Sequence, residues 1–444
     1  VNIVALLYPA SKHFKTLAGY HLVKLSYAGF LNGYKGRRRQ VYERAVTSLG
    51  SRPVRVQDSY LSSFIKSEKL DLTSKPDPVP RVIQPRSPRY NVEVGRYIRP
   101  LEAVIFKVIA RMWGGKTVFK GMNALEQGKR FKLIWDRFRD PVALSIDAKR
   151  FDQHVAREML KYEHGIYDLA YRDAFLRLLL SWQEENHGFA RTADGLVKYF
   201  ISGCRASGDM NTSLGACLIM CNVVYSYIVS LGLRPGVDVA LANNGDDCVL
   251  VTERAYLARV SDPLPAWFLQ AGFTMVCEDP VDELEKVEFC KSHPVWTSDG
   301  YVMVRKFPST LSKDIYTTNY STMSTSGGYD VLRRAISDSG NALAGNIPCY
   351  NEFYRMLGRG AENATNKKKK KFVADAITGF DMLARGMLGA GKDVHPKTRV
   401  SFWRAFGYLP HEQLALEEEF AGITPTYHSP QRVQQFVDRL HILC

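Results

Sequence analysis

Cysteine is scarce and unpatterned in this chain: the eight thiols (Cys204, Cys217, Cys221, Cys248, Cys277, Cys290, Cys349 and Cys444) include no Cys-x2-Cys pair and no zinc spacing. That argues against a structural zinc module or a disulfide scaffold, and free thiols in a reducing compartment are the expectation. No internal repeat is visible. No signal peptide is apparent, and a start at Val1 without Met reads as a processed or truncated product. Long apolar runs are missing with one exception, Leu214 to Leu233. Its length would span a membrane, but Asn222, Ser226, Ser230 and the glycine-bearing loop before it read as a buried helix. Acid is in short supply too: 45 Asp and Glu stand against 60 Lys and Arg, for a net charge of +15 and a pI near 9.3. That balance suits a protein that handles nucleic acid, and equally a merely basic soluble protein. At 444 residues, 45% of them hydrophobic, the chain can bury a large core and build more than one lobe.

Among what is present, Asn244-Gly245-Asp246-Asp247 is the most informative stretch. It lies between the apolar runs Val239 to Ala242 and Val249 to Val251. Asn-Gly between such runs predicts a β-hairpin, with two adjacent carboxylates at its tip. Side by side they repel one another, an arrangement that a divalent cation would relieve; a solvated turn is the plainer alternative. A second acid, Asp147, closes the mostly apolar stretch Val142 to Ile146, where an unpaired carboxylate is costly. Beside the hairpin it would complete a cluster with Asp246 and Asp247. Asp152 follows five positions later and also suits a helix N-cap, since Gln153 to Leu160 can begin a helix. Third comes Ser207-Gly208-Asp209-Met210-Asn211-Thr212, a polar loop running into an apolar helix. Such a loop can grip a phosphate or sugar backbone, or simply cap the helix.

The order strand-Asp-x4-Asp, then Ser-Gly-x3-Thr and a helix, then Gly-Asp-Asp resembles the palm of viral RNA-dependent RNA polymerases, with its motifs A, B and C. The wording is closest to the tombusvirus and carmovirus group of plant plus-strand RNA viruses. The segments that carry this are Phe64 to Lys69, Arg81 to Arg86, Phe151 to His154, Ser207 to Thr212 and Glu288 to Cys290. The resemblance covers roughly residues 35 to 307, and no motif is matched beyond about residue 310.

It implies an α+β right-hand polymerase with an antiparallel palm sheet. Fingers would come from residues 1–141 and an insertion at 153–205, palm from 142–152 and 206–307, and thumb from 308–444. The implied reaction is template-directed RNA synthesis from nucleoside triphosphates with Mg²⁺ or Mn²⁺, by two-metal nucleotidyl transfer. Asp147 and Asp246 would be the main metal ligands, with Asp247 adjacent. Asp152 matches the acid that senses the ribose 2′-hydroxyl, Ser207 and Thr212 match motif B positions that orient nucleotide or template, and Lys66, Arg81 and Arg86 match the basic segment that clamps triphosphates. Two departures stand out. Ala216 occupies the place, four residues after Thr212, where the family commonly has Asn. No lysine general acid follows Gly-Asp-Asp around Phe273 to Glu278, and Lys286 is a weak substitute. Implied partners are single-stranded template RNA, nascent RNA, and a viral accessory replication protein with host membranes outside this chain, at membrane-associated sites in the host cytoplasm. A reverse transcriptase is disfavoured by Asp152 and by Asn244-Gly245. A non-catalytic RNA-binding replication scaffold is disfavoured by the three intact acids.

Coarser features complete the reading. Lys35-Gly36-Arg37-Arg38-Arg39-Gln40 is a basic run, more often a solvated face than an RNA contact. Lys75 to Pro80 is extended. Met159 to Trp182 reads as helix and Val287 to Phe307 as a hairpin around Asp299-Gly300. The last hundred or so residues are helical in flavour, interrupted by Asn366 to Lys371.

Overall fold

The computed structural model describes residues 2–69, 77–315, 326–364, 383–387 and 393–427. Packing divides the chain into two compact units. The first comprises Val1–Lys66, Val79–Lys120 and Asp136–Asp282; the second comprises Ser67–Pro78, Gly121–Trp135 and Glu283–Cys444. The sequence-based spans differ, because they group residues 121–135 with 1–141 and end the palm at 307.

The first unit holds eight strands: β1 (Leu61–Ile65), β2 (Val82–Ile83), β3 (Pro141–Ala148), β4 (Glu185–Thr192), β5 (Gly195–Ser202), β6 (Val239–Asn244), β7 (Asp247–Glu253) and β8 (Met275–Cys277). One sheet, ordered β6-β7-β3-β8, is antiparallel throughout. β6 and β7 are buried at nearly every position, so these strands read as continuous apolar runs rather than alternating ones. Against the sheet packs the Thr212–Ser230 helix, which is apolar on all sides and buried along most of its length. Of its polar interruptions, Ser230 Oγ donates to the Tyr227 carbonyl at 2.7 Å, while Ser226 Oγ is buried without a hydrogen-bond partner among the described residues. Asn222 Nδ2 donates to the Tyr162 hydroxyl at 2.9 Å, and the Tyr227 hydroxyl donates to the Val260 carbonyl at 2.6 Å. Among the described residues this is the one helix long and apolar enough to cross a membrane, and it lies in the core.

The other sheet, β2-β1-β4-β5, is mixed: β1 runs parallel to β4, and the remaining pairs are antiparallel. The stretch expected to be one helix from Met159 to Trp182 is two, Arg157–Tyr171 and Ala174–Ser181. Arg172 takes a left-handed backbone (φ +50°), and the Asp173 carboxylate caps the second helix by accepting from the N–H groups of Phe175 and Leu176. A helix beginning at Gln153 does not form either. Residues Phe151–His154 make one isolated turn, and the next helix starts at Arg157.

In the second unit, the expected hairpin is β9 (Ser292–Thr297) and β10 (Gly300–Arg305), turning at Ser298-Asp299. The Ala124–Trp135 helix lies on it. A Cβ on Gly128 would sit 2.2 Å from the Tyr301 carbonyl oxygen, so only glycine permits that approach. Helices Ser326–Ala344, Tyr350–Gly358, Pro396–Phe406 and Pro410–Gly422 follow. Asn366 to Lys371, Lys75-Pro76 and Cys444 lie outside the described residues.

Candidate active site

The Gly-Asp-Asp hairpin forms, one residue out of the expected register. Asn244 pairs with Asp247, so the two-residue turn is Gly245-Asp246 rather than Asn-Gly. Gly245 has φ +85° and Asp246 has negative φ, the pattern of a type II′ turn. Asp246 therefore stands on the tip, while Asp247 opens β7. The turn is held by Asn243, which is fully buried and was not singled out in the sequence. Its Nδ2 donates to the Gly245 carbonyl at 2.7 Å and to Cys248 Sγ at 3.2 Å. Its backbone bonds Thr117 and Phe119 at 3.0 and 2.8 Å. An Asn-Asn doublet closing an apolar strand was the available signal, since a buried amide needs partners.

Asp147 is exposed near the end of β3. The ladder to β7 ends at Ile146–Cys248, and Asp147 itself pairs with Val276 of β8. The chain then turns through Arg150 (φ +51°), and Phe151 stacks on Phe273 at 5.0 Å, pinning the turn that presents Asp152. Burial pushes the Asp152 carboxyl up to about 6; the Arg205 guanidinium opposes that, and the charges of Asp246 and Asp209 add to it. Burial also raises Asp246, as does repulsion from Asp147, while the backbone N–H groups of Asp246 and Asp247 stabilise its charged form. Asp147, Asp152 and Asp246 thus share one electrostatic field, although they are far apart in sequence.

The donor chemistry fits a hard divalent cation: carboxylate oxygens, mutually repelling, at a solvent-open tip. Asp246 is coupled by charge to both Asp147 and Asp152. The tighter trio expected with Asp247 is not formed, since among the described residues no three His, Cys, Asp or Glu side chains come together at metal-binding spacing. Asp247, as the first strand residue, is set by its pairing with Asn244.

The Ser-Gly loop is fastened on both sides. Ser207 Oγ is exposed and accepts the Gln84 N–H at 3.1 Å. Gly208 bridges Pro85, and a Cβ there would lie 2.4 Å from Pro85 Cα. Asp209 forms a buried ion pair with Arg86. Thr212 Oγ1 donates to the Ala206 carbonyl at 2.8 Å. Beneath, Arg205 and Glu163 form a second fully buried pair, and Glu163 Oε1 also accepts from Asn211 Nδ2 at 2.8 Å and the Tyr167 hydroxyl at 2.7 Å. Gly215 makes room for it: a Cβ would fall 2.5 Å from Glu163 Oε1 and 2.6 Å from Arg205 Nη1. Ala216 is buried against the turn, its Cβ 3.9 Å from where a Gly245 Cβ would stand.

Of the three basic residues expected to grip phosphate, two stand at the surface. Lys66 and Arg81 are exposed and lie side by side, the Lys66 N–H donating to the Arg81 carbonyl at 2.9 Å. Arg86 departs from the expectation. Its guanidinium is buried, bonding Asp209, the Ser59 carbonyl (2.6 Å) and Asn186 Oδ1 (2.6 Å), so it faces protein and not solvent. Lys286, the weak candidate for a general acid, is held by Glu283 at 2.7 Å.

A sequence model of the family described as viral RNA-dependent RNA polymerase matches residues 2–427. The chain is 43% identical over 412 residues to the RNA-directed RNA polymerase of Turnip crinkle virus, covering 92% of this chain and 51% of that protein. It is 41% identical over 399 residues to the polymerase of Tobacco necrosis virus (strain D), 89% of this chain and 54% of the relative. Against the polymerase of Cucumber necrosis virus it is 44% identical over 403 residues, 89% and 47% respectively. The chain therefore spans about half the length of the curated relatives it matches.

Proposed function

Because this chain belongs to the viral RNA-dependent RNA polymerase family, we propose that it carries the polymerase centre of a plus-strand RNA virus and joins ribonucleotides on an RNA template. The observation that carries this reading is the pairing of β3 with β7, Ile146 opposite Cys248, which ends the strand bearing Asp147 beside the Gly-Asp-Asp turn, where Asp246 is coupled by charge to Asp147 and to Asp152. In this reading the antiparallel sheet β6-β7-β3-β8 is the palm. Residues 1–141 and 153–205 supply fingers, and the region after 307 supplies the thumb.

Asp147 and Asp246 would hold Mg²⁺ or Mn²⁺, with Asp247 beside them. A bound cation pair would lower the pKa of the primer 3′-hydroxyl and offset charge on the leaving pyrophosphate. Asp152 accepts the 2′-hydroxyl of the incoming ribonucleotide, with Arg205 favouring its charged form. Lys66 and Arg81 meet the triphosphate. Ser207 lines the nucleotide side of the loop and Thr212 holds that loop closed, while Arg86 acts by positioning Asp209 and the loop rather than by touching phosphate. Single-stranded template, nascent RNA and nucleoside triphosphates are the substrates. An accessory replication protein and host membranes in the infected cytoplasm belong to the same reading.

Incorporation of labelled ribonucleotides on a short RNA template, with Mg²⁺ or Mn²⁺, tests it. Template-dependent product with wild type and none with Asp246→Ala is expected. RNA binding without any template-dependent product would favour the replication scaffold, and better use of deoxyribonucleotides would favour a reverse transcriptase.

A further inference from the structure

Around Gly188 the mixed sheet is packed on one face and open on the other, while its outer end, with Ile65, Val82 and Val197, is exposed on both. On the packed face Tyr199 lies over Gly188; its hydroxyl bonds Ser63 Oγ at 2.6 Å and accepts from Gln84 Nε2 at 3.1 Å. Gln84 in turn donates its N–H to Ser207, so this face backs directly onto the Ser-Gly loop. The alternate residues point the other way. The register pairs His187 with Phe200, Phe189 with Lys198, and Arg191 with Leu196 across β4 and β5, and the parallel β1 brings Tyr60, Ser62 and Phe64 to the same side.

Apolar and aromatic groups stay in water there: Phe64 is 54% exposed, Leu196 52% and Phe200 55%. Three rings form a row across three chain segments. Tyr60 and His187 lie 5.1 Å apart with planes at 38°, and His187 and Phe200 lie 5.0 Å apart at 52°. Lys198 and Arg191 are exposed between and beside the rings. The acid on this side of β4, Glu185, is paired with Arg157 at 3.2 Å.

We propose that this open face of the β2-β1-β4-β5 sheet is a stacking platform for single-stranded RNA, separate from the acid-bearing hairpin. Aromatic rings accept the face of any base, and interleaved cations meet the phosphates between them. Duplex RNA hides its base faces within the stack and cannot use such a row. A second copy of this chain is a poorer occupant, because docking two such faces would set Lys198 and Arg191 against their like-charged counterparts. The choice of RNA rests on the polymerase reading. The platform adds a place where a strand is held on the face opposite the one where Tyr199 meets Ser63 and Gln84.

The test is fluorescence anisotropy of a short labelled oligouridylate and of a duplex RNA, without nucleotides, on the full chain. Phe200→Ala and His187→Ala remove exposed rings and leave the core intact. Each is expected to weaken single-strand binding by about 5-fold or more, the lower end of what one stacked base contributes, with duplex affinity unchanged. Phe200→Trp is expected to restore binding. Wild-type affinity in both alanine variants, or an equal loss on duplex, overturns the proposal. So does a change in self-association by sedimentation velocity with RNA affinity intact, which would make the face a contact between copies. Absence of ribonucleotide incorporation by wild type would overturn the polymerase reading alone, since the binding comparison needs no catalysis.

Discussion

Replacing Arg86 by Met separates two roles that the sequence cannot tell apart. A triphosphate clamp would be solvent-facing, and its loss would raise KM for nucleotides in a protein as stable as wild type. In the structure the side chains of Arg86 and Asp209 are each only 1% exposed, and the guanidinium also satisfies the Ser59 carbonyl and Asn186 Oδ1. Methionine fills much of the same volume but leaves the Asp209 carboxylate buried without a counter-charge. Breaking a buried pair from one side costs about 3–5 kcal/mol, so Arg86→Met should lower the folding equilibrium constant by roughly two to four orders of magnitude. The urea midpoint of wild type, Arg86→Met and the double variant Arg86→Met, Asp209→Leu measures this. The single change should move the midpoint sharply down. The double variant should regain most of the loss, because removing both charges also removes their desolvation cost. An unchanged midpoint in Arg86→Met together with a raised nucleotide KM would refute the reasoning and return Arg86 to the substrate.

Three further outcomes are expected. Asp147→Ala or Asp246→Ala should cut incorporation by at least ~10³, the scale of lost transition-state charge stabilisation, with RNA affinity retained in the anisotropy assay. Asp152 keeps its proton up to about pH 6 when folded but releases it near 3.8 when unfolded. In metal-free protein it therefore contributes stability below about pH 4 that is lost as pH rises through about 6; Asp152→Asn should flatten that part of a urea-midpoint profile, and an unaltered profile would contradict the burial. Gly215→Ala should destabilise by about 1–3 kcal/mol through overpacking against the Glu163–Arg205 pair, seen as a lower thermal midpoint; wild-type stability would show that the pair can shift.

Local chemistry in the sequence already specified a good deal. Asn244-Gly245 between two apolar runs forced a hairpin, and the apolar stretch up to Ile146 delivered Asp147 to a strand end. The uniform apolarity of residues 214–228 required a buried helix, and the ordered motifs named the family. Each of these follows from neighbours a few residues away, which is the range over which periodicity and turn chemistry act.

Tertiary structure decided what depends on partners remote in the chain. The turn falls one residue later than Asn-Gly, after an Asn243 whose backbone N–H and carbonyl are both bonded to the 117–119 segment, more than a hundred positions upstream. Arg86 became an anchor because Asp209, Asn186 and Ser59 close around it, and no local pattern distinguishes a buried arginine from an exposed one. The parallel pairing of β1 with β4 joins segments over a hundred residues apart. The charge coupling of Asp147 and Asp152 with Asp246 likewise joins groups remote in the chain, a field set by distance through the folded protein. Burial and Coulomb energy depend on where atoms stand in space, and sequence separation says nothing of that until the chain has packed.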